Sequence, residues 1–166
     1  MEKLKLICII FLAVVFSTVS RAGDNLMSAV NVTAAPGQEA VIGIILDNAD
    51  VVNGLQFDIV LPEGIQLVVD DKGSPLIVPT ERTKGFSVIC KNLEPGRYRM
   101  MSLSFQGSKV SGNSGMVLSV TLKCDASMKQ GVSTVRFENV HLSYSNTELN
   151  KDLSNLPSFE AQVTLK

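Results

Sequence analysis

The sequence is poor in the side chains that most often carry chemistry or stack on sugars. Its 166 residues include no tryptophan, two tyrosines and one histidine. Modules that bind crystalline polysaccharide use flat platforms of exposed aromatic rings, so the lack of tryptophan argues against such a ligand. The sequence has no G-x-S-x-G nucleophile elbow whose serine His141 could activate, so no Ser-His-Asp triad is predicted.

Acidic residues form no recognisable catalytic pair either. Glycoside hydrolysis needs two carboxyl groups that flank a cleft, whereas Asp70 and Asp71 are adjacent in a turn before a glycine. Calcium needs about six to eight oxygen ligands, and neither this pair nor the cluster Asp47, Asn48 and Asp50 has a diagnostic spacing. Zinc needs more nitrogen and sulfur ligands than one histidine and two cysteines supply. We therefore predict a protein that is not an enzyme and has no metal or cofactor.

The first 22 residues have the order of a secretory signal peptide. Two lysines precede the apolar run 6–16, and Ser20-Arg21-Ala22 offers small residues for cleavage before Gly23. The run is shorter than the roughly 20 apolar residues of a membrane-spanning helix. We expect export to the periplasm or the extracellular space, with no membrane span after cleavage. The last predicted strand runs to Lys166, so no C-terminal anchor is expected.

The net charge limits the class of partner, and the cysteine content decides whether a disulfide is possible. Residues 23–166 contain 12 basic and 15 acidic residues, a net charge of −3, and without a basic cluster a nucleic acid partner is not expected. Cys90 and Cys124 lie on inward strand phases. An exported protein can oxidise such a pair, but we expect two free thiols that pack as small apolar groups.

Short strands with Gly, Pro and Asn turns follow one another from residue 26 to residue 166. This spacing is typical of a single all-β sandwich or jelly roll. The interval 74–84 has no clear period and is predicted to be a loop. Four phenylalanines lie on inward strand phases and are expected to face the core (57, 86, 105 and 137). The nine predicted strands are 26–34, 40–46, 55–61, 64–69, 85–91, 97–106, 116–124, 132–144 and 159–165.

The segment Val51–Gly64 is the most informative part of the sequence. Leu55, Phe57 and Ile59 alternate with more polar positions, which predicts a strand with one face in the core and the other free. Turn residues bound it, Asn53-Gly54 at its start and Pro62-Glu63-Gly64 at its end.

Three segments together resemble the cohesin family, the secreted β-sandwich modules that bind dockerins. The chain 30–41, with its Pro-Gly turn, resembles the opening "v-x-v-x-x-G-x-x-v" of these modules. Residues 53–64 resemble the "G-x-Q-F-D-x-x-L/Y-x-P" strand, and residues 115–123 resemble "G-x-l-x-x-i-x-f-k". The fold is also similar to that of family-2 and family-3 carbohydrate-binding modules. The resemblance implies a nine-strand, cohesin-like jelly roll without catalysis.

The resemblance also implies that a dockerin-like protein partner binds one sheet face, built from the third, sixth and eighth strands. Such modules serve in polysaccharide-degrading assemblies. The outward phases of the matching strands give the predicted partner-binding residues: Gln56, Asp58 and Val60; Tyr98, Met100, Ser102 and Ser104; and Arg136 and Glu138. The alternative is an ordinary solvated sheet face.

A second hypothesis of a different class is a carbohydrate-binding module that recognises soluble glycans through its loops. It depends on the shared sandwich architecture and on Tyr98 and Tyr144, the two tyrosines of the chain. A protein partner remains the first hypothesis.

Overall fold

The computed structural model describes residues 25–144 and 156–166, which are built from strands and one short 3-10 turn, Glu81–Thr83. The predicted signal peptide lies outside the described residues. None of the described segments forms a helix with the length and hydropathy needed to cross a membrane. The strands are β1 (Leu26–Ala29), β2 (Val32–Ala34), β3 (Glu39–Asp47), β4 (Val52–Val60), β5 (Ile65–Leu67), β6 (Ile77–Pro79), β7 (Ser87–Glu94), β8 (Arg97–Leu103), β9 (Met116–Cys124), β10 (Gly131–Tyr144) and β11 (Phe159–Leu165).

The strands form two sheets that pack face to face. The first has the order β1-β3-β9-β5, with β6 also paired to β9; the second has the order β2-β11-β10-β4-β8-β7. Strands β2 and β11 pair in parallel, and the other named pairs are antiparallel. The prediction of an all-β sandwich is confirmed, but residues 25–144 and 156–166 contain eleven strands rather than nine.

Two of the predicted segments account for the difference in strand count. The predicted strand 26–34 is divided: β1 joins the first sheet beside β3, and β2 joins the second beside β11. The predicted loop 74–84 contains β6 and the 3-10 turn. A lone three-residue strand has no detectable period of its own, which explains why the sequence pattern does not show it.

The core lies between the two sheets and includes a cluster of three phenylalanines. Phe57 meets Phe137 edge to face, with ring centroids 5.5 Å apart. Phe137 in turn stacks on Phe159 at 4.7 Å. Phe57 and Phe137 are fully buried and Phe86 is nearly so, as predicted.

Phe105 is the exception among the phenylalanines predicted to face inward, because its side chain is 75% exposed. Strand β8 ends at Leu103. The Ser104 hydroxyl then accepts hydrogen bonds from the backbone N–H groups of Gln106 and Ser108. This turn takes the chain away from the sheet before the alternation reaches Phe105.

Arg82, in the 3-10 turn, holds together one end of the sandwich. Its guanidinium donates hydrogen bonds to the backbone oxygens of Leu46 and Gly115, both at 2.7 Å. It also donates to the side-chain oxygen of Asn48 and to the carbonyls of Ser111 and Gly112. One side chain therefore joins the end of β3 to the loop before β9.

The two cysteines predicted to face inward are free thiols in different sheets. Cys90 lies on β7 of the second sheet and is half-buried, and Cys124 lies on β9 of the first sheet and is buried. Burial raises the pKa of the Cys90 thiol to about 11, and it also raises the pKa of Cys124.

Candidate functional site: the outer face of the six-stranded sheet

The strand register decides which side chains reach the outer face of the second sheet. Residues directly opposite each other in an antiparallel pair lie on the same face. Phe57 on β4 is opposite Met100 on β8, and Asp58 is opposite Arg99. Because Phe57 is in the core, Met100 points inward, and the Asp58–Arg99 pair lies on the outer face.

The predicted phase of β8 is therefore wrong. Met100 and Ser102 are fully buried, and Tyr98, opposite the buried Ile59, packs against the core. Ser104 lies beyond the strand and forms the turn described above. The residues of β8 that do reach the outer face are Arg97, Arg99, Met101 and Leu103.

Asp58 is the centre of a network of hydrogen bonds on this face. Arg99 donates from Nε to Oδ1 at 2.7 Å and from Nη2 to Oδ2 at 3.0 Å. Asn139 donates to Oδ2 at 2.7 Å, and the Arg97 guanidinium lies 3.5 Å away. These side chains leave the Asp58 side chain 1% exposed. Asp58 is thus on the predicted face, but a partner would contact the groups that cover it.

The network also sets the protonation state of Asp58. Burial acts to raise the pKa of this carboxyl. The hydrogen bonds from Arg99 and Asn139, with the positive charges of Arg99 and Arg97, outweigh burial and hold the pKa below its usual value. The carboxylate is therefore ionised at neutral pH.

A β-bulge in β10 brings Asn139 to Asp58. Glu138 is opposite Asp58 and His141 is opposite Gln56, so two residues, Asn139 and Val140, face the single position between them on β4. Asn139 has a φ of 51°, a left-handed conformation that asparagine tolerates better than most residues. The bulge keeps Val140 in the core and leaves Asn139 and Glu138 on the outer side.

A second ion pair continues the network toward the start of β10. Arg97 Nη2 donates to Glu138 Oε2 at 2.7 Å, and Arg136 lies 3.4 Å from the other oxygen of the same carboxylate. Val60, opposite both Arg97 and Arg136, lies between them on the outer face. The structure brings together Asp58, Val60, Arg136 and Glu138 of the predicted set.

Beside this charged region lies a less polar band that crosses four strands. Its members are opposite one another in the register: His141, Gln56, Met101 and Ile89. Ile89 is 43% exposed. A shallow groove of about 220 Å³ follows the band toward Gly54, where a side chain would collide with the Ser143 hydroxyl.

Sequence reasoning missed Arg97, Arg99 and Asn139. For the arginines a signal was present, since an inward phase for both would have buried two charges that seldom enter a core. For Asn139 no alternation rule applies, because a bulge interrupts the period of two.

The acidic loops act as turns. Asp70 accepts hydrogen bonds from the backbone N–H groups of Lys72 and Ser74, and Asn48 binds Arg82 and the Asp50 carbonyl. Within residues 25–144 and 156–166, no group of three His, Cys, Asp or Glu side chains could hold a metal ion.

The two tyrosines of the glycan hypothesis are both partly buried against the core. The Tyr144 hydroxyl accepts a hydrogen bond from Asn25 at 3.1 Å. Burial and the nearby Asp50 raise the pKa of Tyr144 to about 12. Neither ring lies free on a loop.

Comparison with known proteins gives matches among solved structures alone. No protein-family model matches the sequence, and no curated protein does. The solution structure of the cohesin CaCohA2 from Clostridium acetobutylicum is similar with a TM-score of 0.68 at 15% identity, over 86% of this chain and 91% of that one. A non-cellulosomal cohesin from the archaeon Archaeoglobus fulgidus has a TM-score of 0.64 at 9% identity, over 86% and 91%.

A cohesin from Clostridium thermocellum, solved as a type I cohesin–dockerin complex, has a TM-score of 0.61 at 16% identity, over 86% of this chain and 99% of that one. Identities this low establish the fold and not the ligand. The similarity nevertheless covers nearly the whole length of each cohesin, as well as both sheets of this protein. The chain is a β-sandwich with the cohesin fold.

Proposed function

We propose that this protein is a non-catalytic binding module that recognises a dockerin-like protein partner through the outer face of β10, β4, β8 and β7. The observation that carries the proposal is the layout of this face. A network centred on Asp58 holds two arginines and a glutamate in place, directly beside the less polar band that includes Gln56, Met101 and Ile89.

Such a layout suits protein recognition for two reasons. Methionine and arginine are both enriched in the surfaces that proteins bury against each other. Arginines already fixed by a carboxylate lose less side-chain freedom on binding than free ones, which lowers the entropic cost of association.

The kind of partner is inferred from the fold. The C. thermocellum cohesin was solved in complex with a dockerin, and so was a cohesin from Acetivibrio cellulolyticus. We extend that class of partner to this chain. The signal-peptide-like segment 1–22 supports the further proposal that the protein works outside the cytoplasm, and the resemblance to cohesins supports a place in a polysaccharide-degrading assembly.

The test is affinity capture followed by measurement with the purified partner. Immobilised protein is incubated with the secreted fraction of its source, the captured protein is identified by mass spectrometry, and its Kd is measured by calorimetry. The face variant carries Ile89→Lys and Met101→Lys. The matched control carries Val69→Lys, an exposed valine outside this face.

We expect the face variant to lose at least about tenfold in affinity, because each lysine would be desolvated within the interface. The control should bind as the wild type does. Equal binding by the face variant would reject this face, and binding to a soluble glycan in place of any protein would reject the class of ligand.

A further inference from the structure

The outer face of the first sheet, on the opposite side of the molecule, carries a group of exposed apolar side chains. Val41 on β3 is 55% exposed, Val78 on β6 is 45% exposed and Met116 on β9 is 42% exposed. Val30 and Leu76 add to the same surface. Isolated exposed apolar residues are ordinary, whereas a contiguous apolar patch of a few hundred Å² is often functional.

The register shows that the group is contiguous. Val41 is opposite Thr121, and Gly43 is opposite Ser119, which is opposite Val78 on the next strand. Val30 closes the same row, because its backbone N–H donates to the Gly43 carbonyl at 2.9 Å. Small or uncharged residues lie between the apolar ones, so the face is flat.

Charges on β3 and β9 are confined to the ends of this face. The outward positions of β3 between Glu39 and Asp47 are Val41, Gly43 and Ile45, and those of β9 before Lys123 are Met116, Ser119 and Thr121. At one end Glu39 and Lys123 lie opposite each other on the neighbouring strands. At the other end Asp47 is the charged residue of β3.

This distribution of charge selects one kind of occupant, a second copy of the chain. Consider two copies stacked face to face about a two-fold axis that runs along the strands, between β3 and β9. The rotation places each β3 over the partner's β9 at the same height. Glu39 then faces the partner's Lys123 at both symmetry-related places, and Val41 faces the partner's Thr121.

The other in-plane two-fold axis, perpendicular to the strands, is disfavoured. It would bring Glu39 toward the partner's Asp47, two like charges. Both axes keep the strands of the two copies close to aligned, as in ordinary sheet-on-sheet packing, so the charges decide between them. An interface that matches itself in this way is the requirement for a symmetric dimer.

We propose that the protein forms a two-fold symmetric dimer through this face, independently of any partner bound on the opposite sheet. At about 4.8 Å between strands and about 3.3 Å per residue, the charge-free area of four strands measures roughly 15 by 20 Å. That is small for a stable interface, so the dimer is weak and depends on concentration, with a Kd in the micromolar to millimolar range.

The test is sedimentation equilibrium over a wide concentration range, on protein purified in the form that the producing cell makes. Val41→Lys and Val78→Lys should each weaken association at least about tenfold, because each would bury an unpaired charge against an apolar surface. Val132→Lys is the matched control, an exposed valine on the other sheet, and it should leave association unchanged.

A charge exchange tests the axis. Glu39→Lys and Lys123→Glu alone each place like charges across the interface and should weaken the dimer, and the double variant should restore it. Circular dichroism at low concentration verifies that each variant is folded. A wild type that stays monomeric up to about 1 mM would overturn the proposal. So would dimerisation that Val41→Lys leaves intact, or a double variant that does not recover.

Discussion

Arg99 donates two hydrogen bonds to Asp58, at 2.7 and 3.0 Å, and together with Arg97 and Asn139 it covers a carboxylate that is 1% exposed. The pKa of Asp58 is therefore lower in the folded protein than the value of about 3.9 for an unfolded aspartate. Between these two pKa values the unfolded chain binds more protons than the folded protein does. The stabilisation by ionised Asp58 is therefore complete above the unfolded-state pKa, and it is lost as pH falls through the folded-state pKa.

We predict that the free energy of unfolding decreases as pH is lowered from about 5 to 2, and that Asp58→Asn flattens this dependence. Urea denaturation at a series of pH values measures both curves. Asp71→Asn, in an exposed turn, is the control and should give a curve parallel to the wild type. Wild-type and Asp58→Asn curves of equal slope would contradict the role given to the network.

Phe57→Ala should lower the free energy of unfolding by about 3–5 kcal/mol, because it opens a cavity beside Phe137 and Phe159 in the core. Phe105→Ala removes the same side chain from a position that is 75% exposed, and it should change stability by less than about 0.5 kcal/mol. Thermal denaturation of both variants compares the two sites, and similar losses would contradict the strand phases described here.

Arg82→Lys should destabilise the protein by about 1.5–3 kcal/mol. Lysine keeps the positive charge, but its single ammonium group cannot reach the carbonyls of Leu46, Gly112 and Gly115 together. Arg136→Lys, at a more exposed site with one ion pair at 3.4 Å, is the matched control. Chemical denaturation of both variants decides whether the fork geometry of Arg82, and not its charge, holds the loops.

Ser102→Ala should stabilise the protein by up to about 1 kcal/mol. The Ser102 hydroxyl is buried, and among the described residues it has no hydrogen-bond partner, so the folded state bears its desolvation cost. Ser143→Ala is the control, since that hydroxyl donates to Asn53 at 2.8 Å and its loss should bring no gain. A clear loss of stability in Ser102→Ala would show that the hydroxyl is paired.

The contrast between β4 and β8 shows what the sequence pattern could and could not predict. In β4 the large apolar residues Leu55, Phe57 and Ile59 occupy one phase alone, so the core face follows directly from alternation. In β8 both phases are mixed, since Met100 and Ser102 alternate with Arg99 and Met101. There the register with β4 decides the orientation, and register is a property of two strands together.

For the same reason, alternation along a single strand could not predict contacts between distant parts of the chain. The hydrogen bond between Asn139 and Asp58 joins residues 81 positions apart and depends on a bulge. Residues 26–34 are divided between the two sheets because β1 pairs with β3 and β2 pairs with β11. The all-β class, the central position of Phe57 and the outward position of Asp58 needed only local information.

Cys90 and Cys124 should resist modification in the native protein. Burial raises the pKa of Cys90 to about 11, so at pH 8 little of the thiol is present as the reactive thiolate. We expect slow reaction with a thiol reagent in buffer, fast labelling of both cysteines in denaturant, and a melting temperature that reductant does not change. Mass spectrometry assigns the labelled residues, and an absence of label in denaturant without reductant would reveal a disulfide.

The division of the N-terminal segment between the sheets has a consequence for aggregation. Strand β1 is the edge of one sheet and β2, three residues later, is the edge of the other. One short stretch of chain therefore covers the open backbone groups of β3 and of β11. A protease that removed it would uncover an edge on both sheets at once, and such edges pair readily with other chains. Proteolysis near residue 30 would thus make the module prone to form intermolecular sheets.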